Sequence, residues 1–283
     1  MQHVLGLDHV VILVRDLAAA EARLATLGFR PTPRGVHSAH MGTANTTVVF
    51  GDGTYLEALS VLQPTDDNRA VRTVLAEREG PYGLAFKTAD ASAAAAEFAA
   101  AGIGPGVALE FARPVDLPSG AREAAFRVAR TEPAHTPGAW LFVCQHRTPE
   151  LTWRPDHLEQ PNGACGLAEV VGVTEDVRGM QEAYRRIFGD RLQRREGGIA
   201  IEADSARITF LPPAAFAARF APFGDAIARI SSRLGALRLR TASLEQTREV
   251  LSAGGIGATE TAEGTLLVAP DEACGAILEF AVS

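Results

Sequence analysis

Leu7-Asp8-His9-Val10-Val11-Ile12-Leu13-Val14-Arg15-Asp16 decides how this chain folds. It is an apolar strand ending in Arg-Asp, and it runs into the Ala/Leu-rich helix 17–27, which Gly28-Phe29 stops. The same unit returns as Tyr82-Gly83-Leu84-Ala85-Phe86-Lys87-Thr88-Ala89-Asp90, followed by helix 91–101 and Gly102-Ile103. Leu167-Ala168-Glu169-Val170-Val171-Gly172-Val173 leads through Asp176 into a third helix, and 237–241 with helix 243–253 and Gly254-Gly255-Ile256 makes a fourth copy. Several short strands trail each copy, so the pattern is βαβββ four times, grouped as two pairs. The position of His9 reads Gly83, Glu169 and Ala236 in the later copies. Only two of the four could hold a metal there.

The trailing strands fix the architecture. Segments 42–50 and 54–61 flank Gly51-Asp52-Gly53 and read as a hairpin. The second unit offers 107–112, 124–129 and 139–146, and the third 200–202 and 207–211. Pro212-Pro213 then breaks the chain before 214–234, expected to be helical, and 265–268 with 276–280 close the fourth unit. Segment 149–163 is polar, proline-bearing and aperiodic, which suits a connection between halves. The expected fold is α+β: four βαβββ units paired into two curved, mixed eight-stranded sheets with helices outside. Residues 1–147 form a first domain with the working cleft, 148–164 a linker, and 165–283 a second domain, mainly structural. Pairing two short sheets edge to edge makes a curved cleft on which several strands converge.

Composition narrows the function. The chain has 283 residues, enough for two ordinary cores, with 47% apolar content. A net charge of −7 argues against nucleic acid or an anionic membrane as partner. Lys87 is the only lysine, and Cys144, Cys165 and Cys274 lie far apart without a C-x-x-C pair. Sparse, odd-numbered cysteines suit reduced thiols in the cytoplasm. Neither a leader pattern nor an apolar run of roughly 18 residues occurs, so the chain is expected to be neither secreted by that route nor membrane-spanning. The cleft implies a small-molecule partner, and four units in one chain suit a monomer or homodimer.

In these residues the chain resembles the vicinal oxygen chelate superfamily, the glyoxalase, bleomycin-resistance and extradiol-dioxygenase group, and within it the glyoxalase-like branch. The resemblance rests on L-D-H-V-V at Leu7–Val11, on Arg34-Gly35-Val36-His37, Gly42-Thr43-Ala44-Asn45 and Tyr55-Leu56-Glu57. Cys144-Gln145-His146-Arg147-Thr148-Pro149-Glu150-Leu151, Trp153-Arg154-Pro155 and Asn162-Gly163-Ala164 extend it, with Gln160 where the branch would have His. It covers residues 1–165 and is architectural beyond them.

The resemblance implies metal ligands on the first and last strand of each unit, here His9 and Glu57. An imidazole and a carboxylate suit Zn, Ni, Mn or Fe. Gly83 and an apolar residue near Phe142 stand where the second unit would supply its pair, so the four-ligand set is half missing. Glu169 and Glu279 hold the corresponding places in the second half and read as rim carboxylates. Strand alternation puts His9, Val11 and Leu13 on one face. The catalytic candidates are Glu57 and His146, the latter reaching inward from the end of its strand. His37, Asn45 and Arg113 are the substrate-binding candidates, Arg113 as a clamp for an acidic group. Arg122 and Arg127 read as surface charges, and Trp140 and Trp153 as packing or linker-docking residues. The expected function is a divalent-metal-assisted lyase or isomerase acting on a small oxygen-bearing metabolite. The alternative is a metal-free protein that binds or sequesters a small molecule.

Overall fold

Four polar residues punctuate the four strand–helix units. In the computed structural model, which describes residues 1–118, 120–195, 197–229 and 232–282, each of them caps a helix. Asp16 accepts from Ala18 and Ala19 N–H, Asp90 from Ser92 and Ala93, Asp176 from Gly179 and Ser243 from Gln246. These side chains satisfy backbone donors that the first helical turn leaves orphaned.

The first half contains β1 (Leu7–Leu13), α1 (Leu17–Thr26), β2 (Gly35–Val36), β3 (Thr43–Val49), β4 (Tyr55–Val61), α2 (Arg69–Glu77), β5 (Gly80–Lys87), α3 (Ala91–Ala100), β6 (Ala108–Val115), β7 (Arg122–Arg130) and β8 (Trp140–His146). A short α4 (Pro155–Leu158) lies in the connection. The second half follows with β9 (Ala164–Val173), α5 (Val177–Phe188), β10 (Leu192–Arg195), β11 (Gly198–Ala203), β12 (Ala206–Leu211), α6 (Pro213–Arg219), α7 (Gly224–Ala228), β13 (Arg233–Thr241), α8 (Leu244–Ala253), β14 (Ala258–Glu260), β15 (Leu266–Val268) and β16 (Ile277–Val282).

The strands form two eight-stranded sheets of the same topology, β2-β3-β4-β1-β5-β8-β7-β6 and β10-β11-β12-β9-β13-β16-β15-β14. The central strands of each, β1 with β5 and β9 with β13, run antiparallel and join the two units. The first sheet curls until its outer edges meet, where Ser38 Oγ accepts from the Ala112 N–H at 3.1 Å. This is the paired βαβββ architecture expected from the repeat.

Helix placement departs from the expectation in one respect. α1, α3, α5 and α8 cover the outer sheet faces, and residues such as Leu24, Phe98, Tyr184 and Leu251 join both halves in one apolar cluster. α2, which the sequence reading left out, instead covers the concave face of the first sheet with Val71 and Leu75. Segment 214–234 is not one helix. It forms α6 and α7, and Arg233 already begins β13. Phe216, Phe220 and Ile227 pack on Val171, Leu211 and Ile277 inside the second sheet. An apolar concave face must be covered, and each half uses the insertion after its first unit to do so.

Candidate active site

A β-bulge shapes the site. Leu7 pairs with Phe86 while His9 pairs with Ala85, so β1 advances two residues against one of β5. Leu7 therefore packs with the helix-side core, whereas His9, Val11 and Leu13 face the cleft. The extra residue is Asp8, which the bulge brings beside His9 although strict alternation would send it to the opposite face. Asp8 Oδ1 lies 2.6 Å from His9 Nδ1 and 3.1 Å from His146 Nε2, both carboxylate–imidazole contacts.

The other ring nitrogen of His9 faces Glu57, Nε2 to Oε2 3.4 Å. Asn45 Nδ2 donates to Glu57 Oε1 at 2.6 Å, and His37 Nε2 stands 3.9 Å from that oxygen while its Nδ1 meets Thr43 Oγ1 at 2.8 Å. Tyr55 stacks on the His9 ring at 4.2 Å. Burial alone would push the His9 imidazolium down, but the contacts with Asp8 and Glu57 outweigh it and hold its pKa up at about 9. Glu57 shows the complementary balance. Burial favours its neutral form, yet His9, His37 and Asn45 bring it down to about 2. Asp8 is held well below the usual carboxylate range, with the His146 and His9 contacts overcoming its burial. For His37 burial wins over Glu57, and its pKa falls to about 4. At neutral pH the centre is a protonated His9 between two carboxylates, with a neutral His37 beside it.

These groups line a cleft of about 820 Å³, counted to its open mouth. Five of the six sequence candidates, His9, His37, Asn45, Glu57 and Arg113, line it. His146 does not. It turns to Asp8 and packs against Trp153, ring centroids 4.6 Å apart, so it supports Asp8 behind the cleft wall. Trp140 forms part of the wall, beyond the packing role expected of it, whereas Trp153 docks the linker as expected. Arg122 and Arg127 are ion-paired to Glu150 and Glu110 at the surface. Sequence reasoning missed Asp8, Tyr55 and Cys144. The one legible signal was a carboxylate next to His9 inside an apolar strand.

The matching positions of the second unit are apolar. Phe142 lies across from Ala85, as Glu57 lies across from Val11, and Gly83 takes the place of His9. A Cβ at Gly83 would come within 2.8 Å of the Val11 side chain, so that place is already filled. Set back from it, Asp8, Cys144 and His146 bring three ligand-capable atoms within 4.8 Å of one another. In the second half Arg219 from α6 ion-pairs with Glu169 and approaches Glu279 Oε2 at 3.7 Å. Thr209 donates to Glu169 and Thr265 to Glu279, so both carboxylates are engaged from within the chain.

The sequence model of the glyoxalase-like domain matches residues 7–188. The chain belongs to the glyoxalase-like domain family. No curated protein sequence matches it. Among solved structures it resembles a hypothetical protein from Staphylococcus aureus, TM-score 0.68 at 10% identity, over 98% of this chain and 99% of that one. A triple mutant of 4-hydroxymandelate synthase from Streptomyces coelicolor superposes with TM-score 0.62 at 16% identity, over 98% and 92% of the respective chains. At such identities the likeness establishes the glyoxalase-like fold, with its two eight-stranded mixed sheets. No described helix is long and apolar enough to cross a membrane.

Proposed function

We propose that the first-half cleft of this glyoxalase-like protein moves a proton on a small oxygen-bearing metabolite, as an isomerase or lyase. The observation that carries this reading is the buried His9–Glu57 pair, 3.4 Å apart, with its far side fixed by Asp8. His9 presents an N–H to the cleft, and an N–H beside a carbonyl stabilises the negative charge that develops when a neighbouring C–H is lost. Glu57 accepts that proton. In the free protein it is a weak base because His9 holds it. When a substrate oxygen takes over the His9 N–H, the partner that depressed Glu57 is drawn away and its basicity rises.

A divalent ion has limited support in this cleft. His9 Nε2 and Glu57 Oε2 are separated as two tetrahedral ligands of one ion would be, but catalytic zinc takes about three protein donors. Gly83 and Phe142 add none, and His37 lies on the far side of Glu57. His9 and Glu57 by themselves do not make up the donor set of a resident ion, so the chemistry above uses protein groups alone, and Asp8, Cys144 and His146 are the cluster that could hold an ion beside it. Calorimetric titration of Zn²⁺, Ni²⁺ and Mn²⁺ into wild type, His9→Ala and Glu169→Ala checks this. Tight binding that only His9→Ala abolishes would restore the metal-assisted reading.

The second reading, a metal-free binding protein, is favoured by the aromatic lining of the cleft, including Phe111, Phe126, Trp140 and Phe142. Deuterium wash-in separates the two. Hydroxyketones and 2-oxo acids incubated with protein in D₂O should lose a C–H signal by proton NMR, and Glu57→Gln should slow this by about 10²-fold or more. Compounds that bind without exchanging would favour the binder. Residues 165–283 carry a mainly structural role in either case.

A further inference from the structure

We infer that the cleft selects a monocarboxylate with an apolar, ring-sized body, and that Arg113 receives the carboxylate. The inference rests on the reading of this cleft as the working site. Arg113, on β6, is only 6% exposed, and its side chain lines the cavity. Among the described residues it has no hydrogen bond and no ion pair. A guanidinium carries five N–H donors and a charge that cannot be shed at neutral pH, so a buried one is ordinarily paired. The carboxylate in its neighbourhood, Glu57, is already held by His9 and Asn45.

The place of Arg113 is built rather than incidental. Gly35 on β2 lacks the Cβ that would come within 2.6 Å of Arg113 Cδ. The same point lies 2.9 Å from Asn45 Oδ1, a buried oxygen that also has no donor. The missing side chain at Gly35 thus opens the room in which Arg113 extends toward the His37–Glu57 side. Burial depresses the guanidinium and outweighs the nearby Glu57 carboxylate, which does not pair with it directly.

The cleft that this cation lines also has apolar walls: Val11, Leu109, Phe111, Phe126 and Phe142. Phe111 and Phe126 are stacked with centroids 5.1 Å apart, offering an aromatic surface. One unpaired cation among apolar walls suits one anionic group on an apolar body. A planar carboxylate matches the guanidinium fork with two parallel hydrogen bonds, which an amide or an alcohol cannot reproduce.

The test compares 3-phenylpropionate with 3-phenylpropanamide and 3-phenylpropanol by ligand-observed NMR titration. Wild type should bind the acid at least about tenfold tighter than either neutral analogue. Arg113→Met should bring the ratio close to one, and Arg113→Lys should restore part of it. If Arg113→Met does not fold, the wild-type ratio and the lysine variant decide. Equal binding of acid and amide, a ratio that survives in Arg113→Met, or inorganic phosphate competing as well as the acid would each overturn the proposal. Glu57→Gln should keep the acid preference, so lost proton exchange with retained preference would count against the proposed reaction and leave this inference standing.

Discussion

Asp8 and His9 are sequence neighbours in a strand, yet their side chains are joined by a 2.6 Å contact on the same side of the sheet. A strand without the bulge would point them apart. The irregularity therefore supplies the cleft histidine with a buried anion at its back. Such a partner fixes which ring nitrogen faces the cleft and raises the affinity of the ring for a proton.

Replacing Asp8 by Asn should accordingly lower the His9 pKa from about 9 toward its ordinary value of 6.5. NMR titration of the imidazole Cε1–H signal, assigned by comparison with His9→Gln, reads the change. A His9 that titrates unchanged in Asp8→Asn would show that Asp8 does not hold its charge.

Stability should be highest near pH 6.5. His9 has a folded pKa raised from 6.5 to about 9, so its contribution is complete below 6.5 and is lost as pH rises toward 9. Glu57 is depressed from 4.5 to about 2, so its contribution stands above 4.5 and is lost as pH falls toward 2. His37, depressed from 6.5 to about 4, adds a further loss as pH falls across that range. Urea unfolding at pH 6.5 and 9.5 should show a wild-type decline on the order of 2–3 kcal/mol, largely absent in His9→Gln. Equal declines in both proteins would contradict the assignment.

Gly83→Ala should cost about 1–3 kcal/mol, because the new methyl meets Val11. The double change Val11→Ala with Gly83→Ala should recover part of that loss. Thermal melts of the four proteins in the cycle measure the coupling, and strict additivity would show that Val11 is not the obstacle.

Arg219→Met should destabilise the protein by about 3 kcal/mol at neutral pH, since it takes the ion-pair partner from buried Glu169 and leaves Glu279 with Arg238 alone. The loss should shrink as pH falls, because Glu169 freed from Arg219 keeps the burial that favours its neutral form. Carboxylate binding in the first cleft should be unaffected. Chemical denaturation at neutral and acidic pH, paired with the NMR titration, tests both statements.

The repeat made the fold legible. Four strand–helix units, with the Gly51-Asp52-Gly53 hairpin, point to four βαβββ units paired into two eight-stranded sheets, and the strand order within each sheet comes from the structure. His9, Glu57, Asn45, His37 and Arg113 were legible as cleft residues because alternation and resemblance point the same way. Asp8 was hidden because the residue pattern does not reveal the bulge's change of register, although a carboxylate inside an apolar strand hinted at it. α2 was hidden because Arg69–Glu77 mixes charges with only Val71 and Leu75 on its buried side. The position of His146 depended on where the linker lays Trp153, a contact between segments that periodicity does not encode.

Arg219 has one consequence beyond stability. Its guanidinium is tethered by the backbone of α6, so it meets Glu169 and Glu279 at an effective concentration far above that of a dissolved cation. The second half thus behaves as a cleft saturated by its own chain, shielded from competition by free cations. In the first half the tethered cation His9 holds Glu57, but among the described residues no tethered anion pairs with Arg113, which leaves that position open to a solute that can outcompete water.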